Sequence, residues 1–306
     1  MNNSIVETEN LCKKYGNKLV VKDVNMHVRR GKIYGIIGKN GAGKTSIIKM
    51  ILGLIHKTSG QVRIFGKDTD ECRQALVGRI GYMIEPNGFY SNLSARENLM
   101  IYTRIQGSIN PNVVMDALQA VNLPSDDRKK FRNFSLGMKQ RLALALAIMN
   151  DPEIIILDEP TNGLDPIGIS DMRRYIKKLQ QERNKTILLS SHQLSEVEVL
   201  ADDIGIIDDG RILAECEIEK IKKESKQSIK VEVDNIKKSA VVLEAKGIKN
   251  FVIQGEHQIA VYEKNISSYD INRMLMDRDI KVSTIFTEFF NLERYFNNAI
   301  GGKVNP

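Results

Sequence analysis

The chain has 306 residues, 42% hydrophobic and 27% charged, which fits an ordinary folded protein with room for two domains. The net charge of +7 would suit an anionic partner, but residues 221–306 hold fourteen Lys+Arg against eleven Asp+Glu, so the excess is spread out as a solvated surface; no basic run interleaved with aromatics occurs, and no nucleic-acid partner is expected. The start lacks a signal-peptide pattern, runs such as Leu142–Met149 and Ile154–Leu157 fall far short of the ~18 residues of a membrane span, and Cys12, Cys72 and Cys216 are too scattered for a metal pair, which points to reduced cytosolic thiols.

In chain order, Ile5–Leu11, Leu19–Val28 and Lys32–Ile37 read as strands, divided by turns at Gly16-Asn17-Lys18 and Arg29-Arg30-Gly31. Tyr15 before the first turn suits either stacking on a ligand ring or plain packing. Gly38-Lys39-Asn40-Gly41-Ala42-Gly43-Lys44-Thr45 matches G-x-x-x-x-G-K-[ST], and Ser46–Leu54 after it has helical spacing. A buried strand, a glycine loop and a helix start turn backbone N–H groups toward one anion. Gly38, Asn40, Gly41, Ala42, Gly43, Lys44, Thr45 and Ser46 are therefore the candidate nucleotide cradle, with Lys44 reaching the β and γ phosphates and the Thr45 hydroxyl ligating Mg²⁺.

Gly60–Phe65 and Arg79–Ile84 are further strands, the second ending at Glu85-Pro86. Residues 94–150 show only helical periodicity: Ser94–Gln106, with Ser94 and Glu97 as a capping box, Asn112–Val121 and Ser135–Met149. An all-helical insert of this kind, about 86–150, is a natural partner surface. Alternation then resumes with strand Glu153–Leu157, helix Pro166–Glu182, strand Thr186–Ser190, helix Ser195–Leu200 and a hairpin of Ile204–Ile207 with Arg211–Cys216. The fold class is α/β over residues 1–221. Residues 222–227 read as a polar linker. From 228 to 306 the order strand, helix, strand, strand, helix, strand, final helix (Phe286–Asn297) suggests a small ferredoxin-like α+β module. His257 there reads as solvated, and the aromatic residues of the final helix as packing or an oligomer contact.

The chemistry gathers around the glycine loop. Ile154–Leu157 is an apolar strand ending in Asp158 and Glu159, and such strands aim their last side chains at the ligand crevice. Asp158 can hold Mg²⁺ through water, and Glu159 can accept a proton from an attacking water. Ser135 and Gly137 at a helix start make either a second anion site or an ordinary cap.

Together these residues resemble the nucleotide-binding subunit of an ATP-binding-cassette (ABC) transporter, over about residues 4–220. Gly38–Thr45 is similar to the Walker A loop, Ile154–Glu159 to the Walker B strand, Ser135-Leu136-Gly137-Met138-Lys139 to the signature motif, Asn162-Gly163-Leu164-Asp165 to the D-loop, and Ser191-His192 to the switch histidine. The resemblance implies a P-loop NTPase fold with an antiparallel β subdomain and a helical subdomain, and ATP with Mg²⁺ as its ligands. It implies Tyr15 as the adenine-stacking aromatic and His192 as γ-phosphate sensor. It also implies a homodimer in which Ser135, Gly137 and Asp165 close over ATP held by the other copy. Separate transmembrane permease subunits are expected to touch the insert near Glu85–Tyr90, so the location implied is cytoplasmic, peripheral on the inner face of the cell membrane. Two departures stand out. The signature reads Ser-Leu-Gly-Met-Lys where the family usually has serine, glycine, glycine, glutamine. Glu85 replaces the usual glutamine, which keeps an oxygen ligand near Mg²⁺ but adds a negative charge. Both features, with the appended C-terminal module, are similar to lantibiotic-immunity and bacitracin-resistance exporters. The rival expectation is an ATP-driven switch acting on a non-membrane partner.

Overall fold

The computed structural model describes residues 4–84, 88–105, 107, 110–224, 228–263, 266–288 and 292–301. They divide into two compact units: Met1–Ile218 with Leu292–Pro306, and Glu219–Asn291.

The first unit begins with β1 (Ser4–Tyr15) and β2 (Lys18–Arg29), then β3 (Ile33–Ile37) and α1 (Lys44–Ile51). There follow β4 (Ser59–Ile64), the two-residue β5 (Lys67–Asp68), α2 (Thr69–Leu76) and β6 (Ile80–Met83). The helical insert supplies α3 (Ala95–Ile105), α4 (Pro111–Ala120) and α5 (Leu136–Ile148). Then come β7 (Ile154–Asp158), α6 (Pro166–Arg183), β8 (Thr186–Ser191), α7 (Leu194–Leu200), β9 (Asp203–Asp208) and β10 (Arg211–Glu217).

The strands make two sheets. One is antiparallel, ordered β2-β1-β4-β5; the other is ordered β10-β9-β3-β8-β7-β6, with every neighbouring pair parallel except β9 with β10. Every residue of β3, β7 and β8 is buried, as their near-continuous Ile and Leu runs require of a parallel sheet covered on both faces. This order positions the site. β3, β8 and β7 are adjacent and parallel, so the glycine loop, Ser191-His192 and Asp158-Glu159 all leave the same edge of the sheet.

The insert is capped as its sequence predicts. The Ser94 N–H donates to Glu97 Oε2 at 2.7 Å and the Glu97 N–H to Ser94 Oγ at 3.3 Å, while the Ser135 hydroxyl accepts from the Met138 N–H. Phe89, Tyr102, Phe131 and Phe134 form a chain of ring contacts across the insert. Among the described residues no helix is long and apolar enough to cross a membrane.

The second unit takes most of α8 (Ile218–Glu224), then β11 (Ser228–Val233), α9 (Ile236–Ala245), β12 (Phe251–Gln254), β13 (Gln258–Val261), α10 (Ser268–Met276) and β14 (Val282–Glu288). Its sheet is antiparallel in the order β12-β13-β11-β14, the ferredoxin-like arrangement, around a core of Ile229, Val231, Leu243, Ile259, Ile271 and Leu275. His257 is exposed in the turn between β12 and β13.

Two local expectations are corrected. The linker expected at 222–227 is helix as far as Glu224, with 225–227 outside the described residues. The helix expected over Phe286–Asn297 is instead strand through Glu288, then, beyond the undescribed 289–291, α11 (Leu292–Ile300). Pairing decides the first part: Ile285 lies opposite Val231 and Phe286 opposite Lys230, so the sheet overrides a locally helical spacing. In addition, α11 packs on α7, β9 and β10, so it clusters with the first unit although the sequence grouped it with residues 228–306. Its buried stripe of Leu292, Phe296 and Ala299 supplies the apolar face for that packing.

Candidate functional site

The glycine loop takes its shape from close approach and handedness. A Cβ on Gly38 would lie 2.4 Å from the Ile207 carbonyl oxygen on β9, and Gly43, just ahead of α1, has φ 109°, where side chains are strained. Behind it, the N–H groups of Gly43, Lys44, Thr45 and Ser46 meet no acceptor among the described residues. Four unpaired amides at a helix start are the donors an anionic phosphate requires. Asn40 and Gly41 at the loop tip are exposed, and Ala42 is buried with its carbonyl accepting from the Gly210 N–H.

Two linked chains of contacts join this loop to the strand ends. In the first, the buried Lys44 ammonium donates to the Gly38 carbonyl at 2.8 Å and lies 3.1 Å from Glu159 Oε1; the other Glu159 oxygen lies 2.7 Å from His192 Nδ1. In the second, the Thr45 hydroxyl donates to Asp158 Oδ2 at 2.8 Å and the Ser190 hydroxyl to Asp158 Oδ1 at 2.6 Å. Ser190 Oγ also accepts the Glu159 N–H at 3.0 Å, which ties the chains together and braces Glu159 at its unusual φ of 49°. Lys44, Thr45, Asp158, Glu159 and His192, drawn from three segments of sequence, thus meet at one place.

Ser190 is the residue sequence reasoning passed over. Its signal was present: β8 is apolar in the middle and turns polar at Ser190, two residues before His192. Buried polar groups at a strand's carboxyl end need partners, and here the partner is the carboxylate.

Other predicted residues lie elsewhere. Ser135 and Gly137 start α5, and Asp165 caps α6 by accepting the Gly168 N–H at 2.7 Å; all three line one cavity of about 350 Å³, which contains no residue of the glycine loop. Tyr15 ends β1 half exposed, with the Lys13 ammonium 4.9 Å from its ring centre. Glu85 lies outside the described residues.

With this geometry in place, the chain can be compared with known proteins. A family profile described as "ABC transporter" matches residues 21–162. The "Bacitracin transport ATP-binding protein BcrA" of Enterococcus faecalis is 44% identical, over 97% of this chain and 97% of its own length. The chain belongs to the ABC transporter family. As an ABC ATP-binding subunit it is an ATPase. The "Lantibiotic transport ATP-binding protein SrtF" of Streptococcus pyogenes is also 44% identical, over 70% of this chain and 91% of its own. Among solved structures, the "Dimeric Structure of MJ0796, a Bacterial ABC Transporter Cassette" superposes with a TM-score of 0.63 at 25% identity, covering 70% of this chain and 98% of that one. The same cassette "bound to ADP and Pi" gives 0.63 at 26% identity, again over 70% and 98%. ABC ATPase domains such as these bind adenine nucleotides, dimerise and act with transporter membrane subunits.

Proposed function

We propose that two copies of this chain clamp two ATP molecules between them and power a separate membrane permease that exports, or protects against, peptide antibiotics of the bacitracin or lantibiotic kind. The observation that carries the proposal is the pair of contact chains Lys44–Glu159–His192 and Thr45–Asp158–Ser190 beside a cradle of free amides. The near full-length likeness to BcrA, including the C-terminal unit, supports the antibiotic class.

In this reading the amides of Gly43 to Ser46 and Lys44 bind the phosphates, and Tyr15 stacks on adenine. A phosphate oxygen displaces Glu159 from Lys44, whose three donors are already taken by the Gly38 and Lys39 carbonyls and Glu159. Released on that side, Glu159 stays oriented by His192 and by the Ser190-bound amide, and takes the proton of the attacking water. Thr45 and Asp158, with Glu85, would hold Mg²⁺, which supplies charge neutralisation on the phosphate oxygens. Ser135, Gly137 and Asp165 sit apart from their own chain's loop and serve the other copy's nucleotide, so each site is complete only across the dimer. The surface carrying Tyr90 and Tyr82, both about half exposed, faces the permease. The subunit is then peripheral at the cytoplasmic face of the membrane.

The test is Glu159→Gln. Turnover should vanish while size-exclusion chromatography with ATP and Mg²⁺ shows a stable dimer. Undiminished phosphate release would remove Glu159 as the base, and a persistent monomer would remove the clamp. For the cargo, cells lacking the chain should become more sensitive to bacitracin or a lantibiotic; unchanged sensitivity to both would exclude that class.

A further inference from the structure

A buried ion pair joins α6 to α7, apart from the contact chains around Lys44 and Asp158. Arg173 of α6 donates from Nε to Glu196 Oε2 of α7 at 3.0 Å and from Nη2 to Glu196 Oε1, a two-pronged contact. The Glu196 side chain is only 3% exposed, and a buried carboxylate has to be paired. A guanidinium fork fixes rotation as well as distance, which a point charge does not.

The local sequence makes Glu196 available for this contact. It is the third residue of α7, where a glutamate commonly folds back to accept the N–H of the residue ahead of the helix. That N–H, of Gln193, is instead taken by Ser191 Oγ at 3.0 Å, and the Gln193 side chain makes no capping hydrogen bond. With seven residues and no such cap, α7 holds its place through tertiary contacts rather than through its own hydrogen bonds. Its apolar contacts are close but non-directional: a Cβ on Gly35 of β3 would lie 2.3 Å from Val197 Cγ1. The Arg173 fork is directional. Its own helix is the firm side of the pair, since Met172, Tyr175, Ile176 and Leu179 anchor α6 in the core. What the fork can orient lies one helical turn back from Glu196. There His192 sits between β8 and α7, with Nδ1 2.7 Å from Glu159. If α7 rolls or slides on the sheet, that short connection moves with it.

We propose that Arg173 is a positioning residue: acting through Glu196, it sets the rotation of α7 and so holds the His192 imidazole on Glu159. The effect on turnover rests on the reading above of Glu159 as the base that His192 orients. The placing of His192 by the fork does not.

The experiment compares the full chain with the double variant Arg173→Met, Glu196→Leu. Exchanging a buried ion pair for apolar residues of similar volume is commonly neutral or stabilising, so the melting temperature should stay within about 2 °C or rise. Two readouts then separate orientation from stability. In histidine-ring NMR spectra without nucleotide, the His192 signals, assigned with His192→Gln, should shift while those of His27, His56 and His257 stay in place. In a phosphate-release assay, kcat should fall at least about ten-fold with little change in nucleotide Kd, because the change misplaces a group without touching the phosphate cradle. Should the double variant not fold, Arg173→Lys keeps the charge but not the fork, and should give the same two changes to a smaller degree. An unmoved His192 signal in a folded variant would overturn the proposal, whatever the rate. A shifted signal with the parental kcat would overturn the part of Arg173 in turnover. Glu159→Gln run alongside keeps the two readings apart: if that variant still turns over, the hydrolytic reading fails, and the His192 spectra decide the positioning by themselves.

Discussion

Removing the Ser190 hydroxyl tests how Asp158 and Glu159, the carboxylates proposed to act in hydrolysis, are held. Ser190 is fully buried, and its single oxygen donates to Asp158 at 2.6 Å while accepting the Glu159 N–H at 3.0 Å. In Ser190→Ala the hole left is too small for water, so neither partner can be re-satisfied. A hydrogen bond to a charged group is worth about 1.5–3 kcal/mol and a neutral one about 0.5–1.5, so the loss should be about 2–4 kcal/mol. For a unit of this size that lowers the melting temperature by roughly 4–16 °C. The partner that orients a working carboxylate typically matters by about 10–100-fold in activity, so kcat should fall in that range with little change in KM for ATP. The control is Ser191→Ala: its hydroxyl bonds only to the Gln193 backbone, so both carboxylates keep their partners. Differential scanning fluorimetry and a phosphate-release assay suffice. If Ser190→Ala melts within about 1 °C of the parent and keeps its kcat, the brace on Asp158 and Glu159 is not what holds them.

Three further outcomes can be measured. Gly38→Ala places a methyl group 2.4 Å from the Ile207 carbonyl, so the loop must shift, and ATP affinity by fluorescent-nucleotide titration should fall at least about ten-fold. Glu153 is held below the ordinary carboxylate range first by the Arg79 hydrogen bonds, which outweigh burial. A lowered folded value means the stabilisation is full above about pH 4.3 and disappears as pH falls through that lowered value, so urea unfolding between pH 3 and 6 should show a shallower acid loss in Arg79→Ala. The pair is half exposed, so the difference should stay below about 1 kcal/mol. Glu85→Gln should alter the Mg²⁺ dependence of turnover more than ATP affinity; superimposable Mg²⁺ titrations would detach Glu85 from the metal.

Much of the site was legible because its chemistry lies in contiguous words. Gly38–Thr45 and Ile154–Glu159 each carry strand, turn and reactive group within a few residues, and the apolar runs ahead of them could only be buried strands. Ser190 escaped because its importance is relational: nothing about a serine at a strand end says that the neighbouring strand carries Asp158 until β7 and β8 are paired. The fold followed the same division. The order of elements at 228–276 could be read, and so could the caps at Ser94 and Ser135, since both depend on near neighbours. The segment around Phe286 could not, because its strand forms by pairing with β11 some fifty residues away. The helix α1 begins at Lys44 rather than at Ser46, since the motif's own lysine and threonine form its first turn.

The return of α11 to the cassette has a practical bearing on how the protein is dissected. Because Leu292, Phe296 and Ala299 lie against α7, β9 and β10, residues 219–291 form an excursion between two pieces of one ATPase body. A fragment cut after Ile218 would leave that surface bare and greasy, and its poor behaviour could be mistaken for a need for the accessory unit. The fair comparison splices Ile218 to Leu292 through a flexible tether, removing the excursion while leaving the roof over α7 in place.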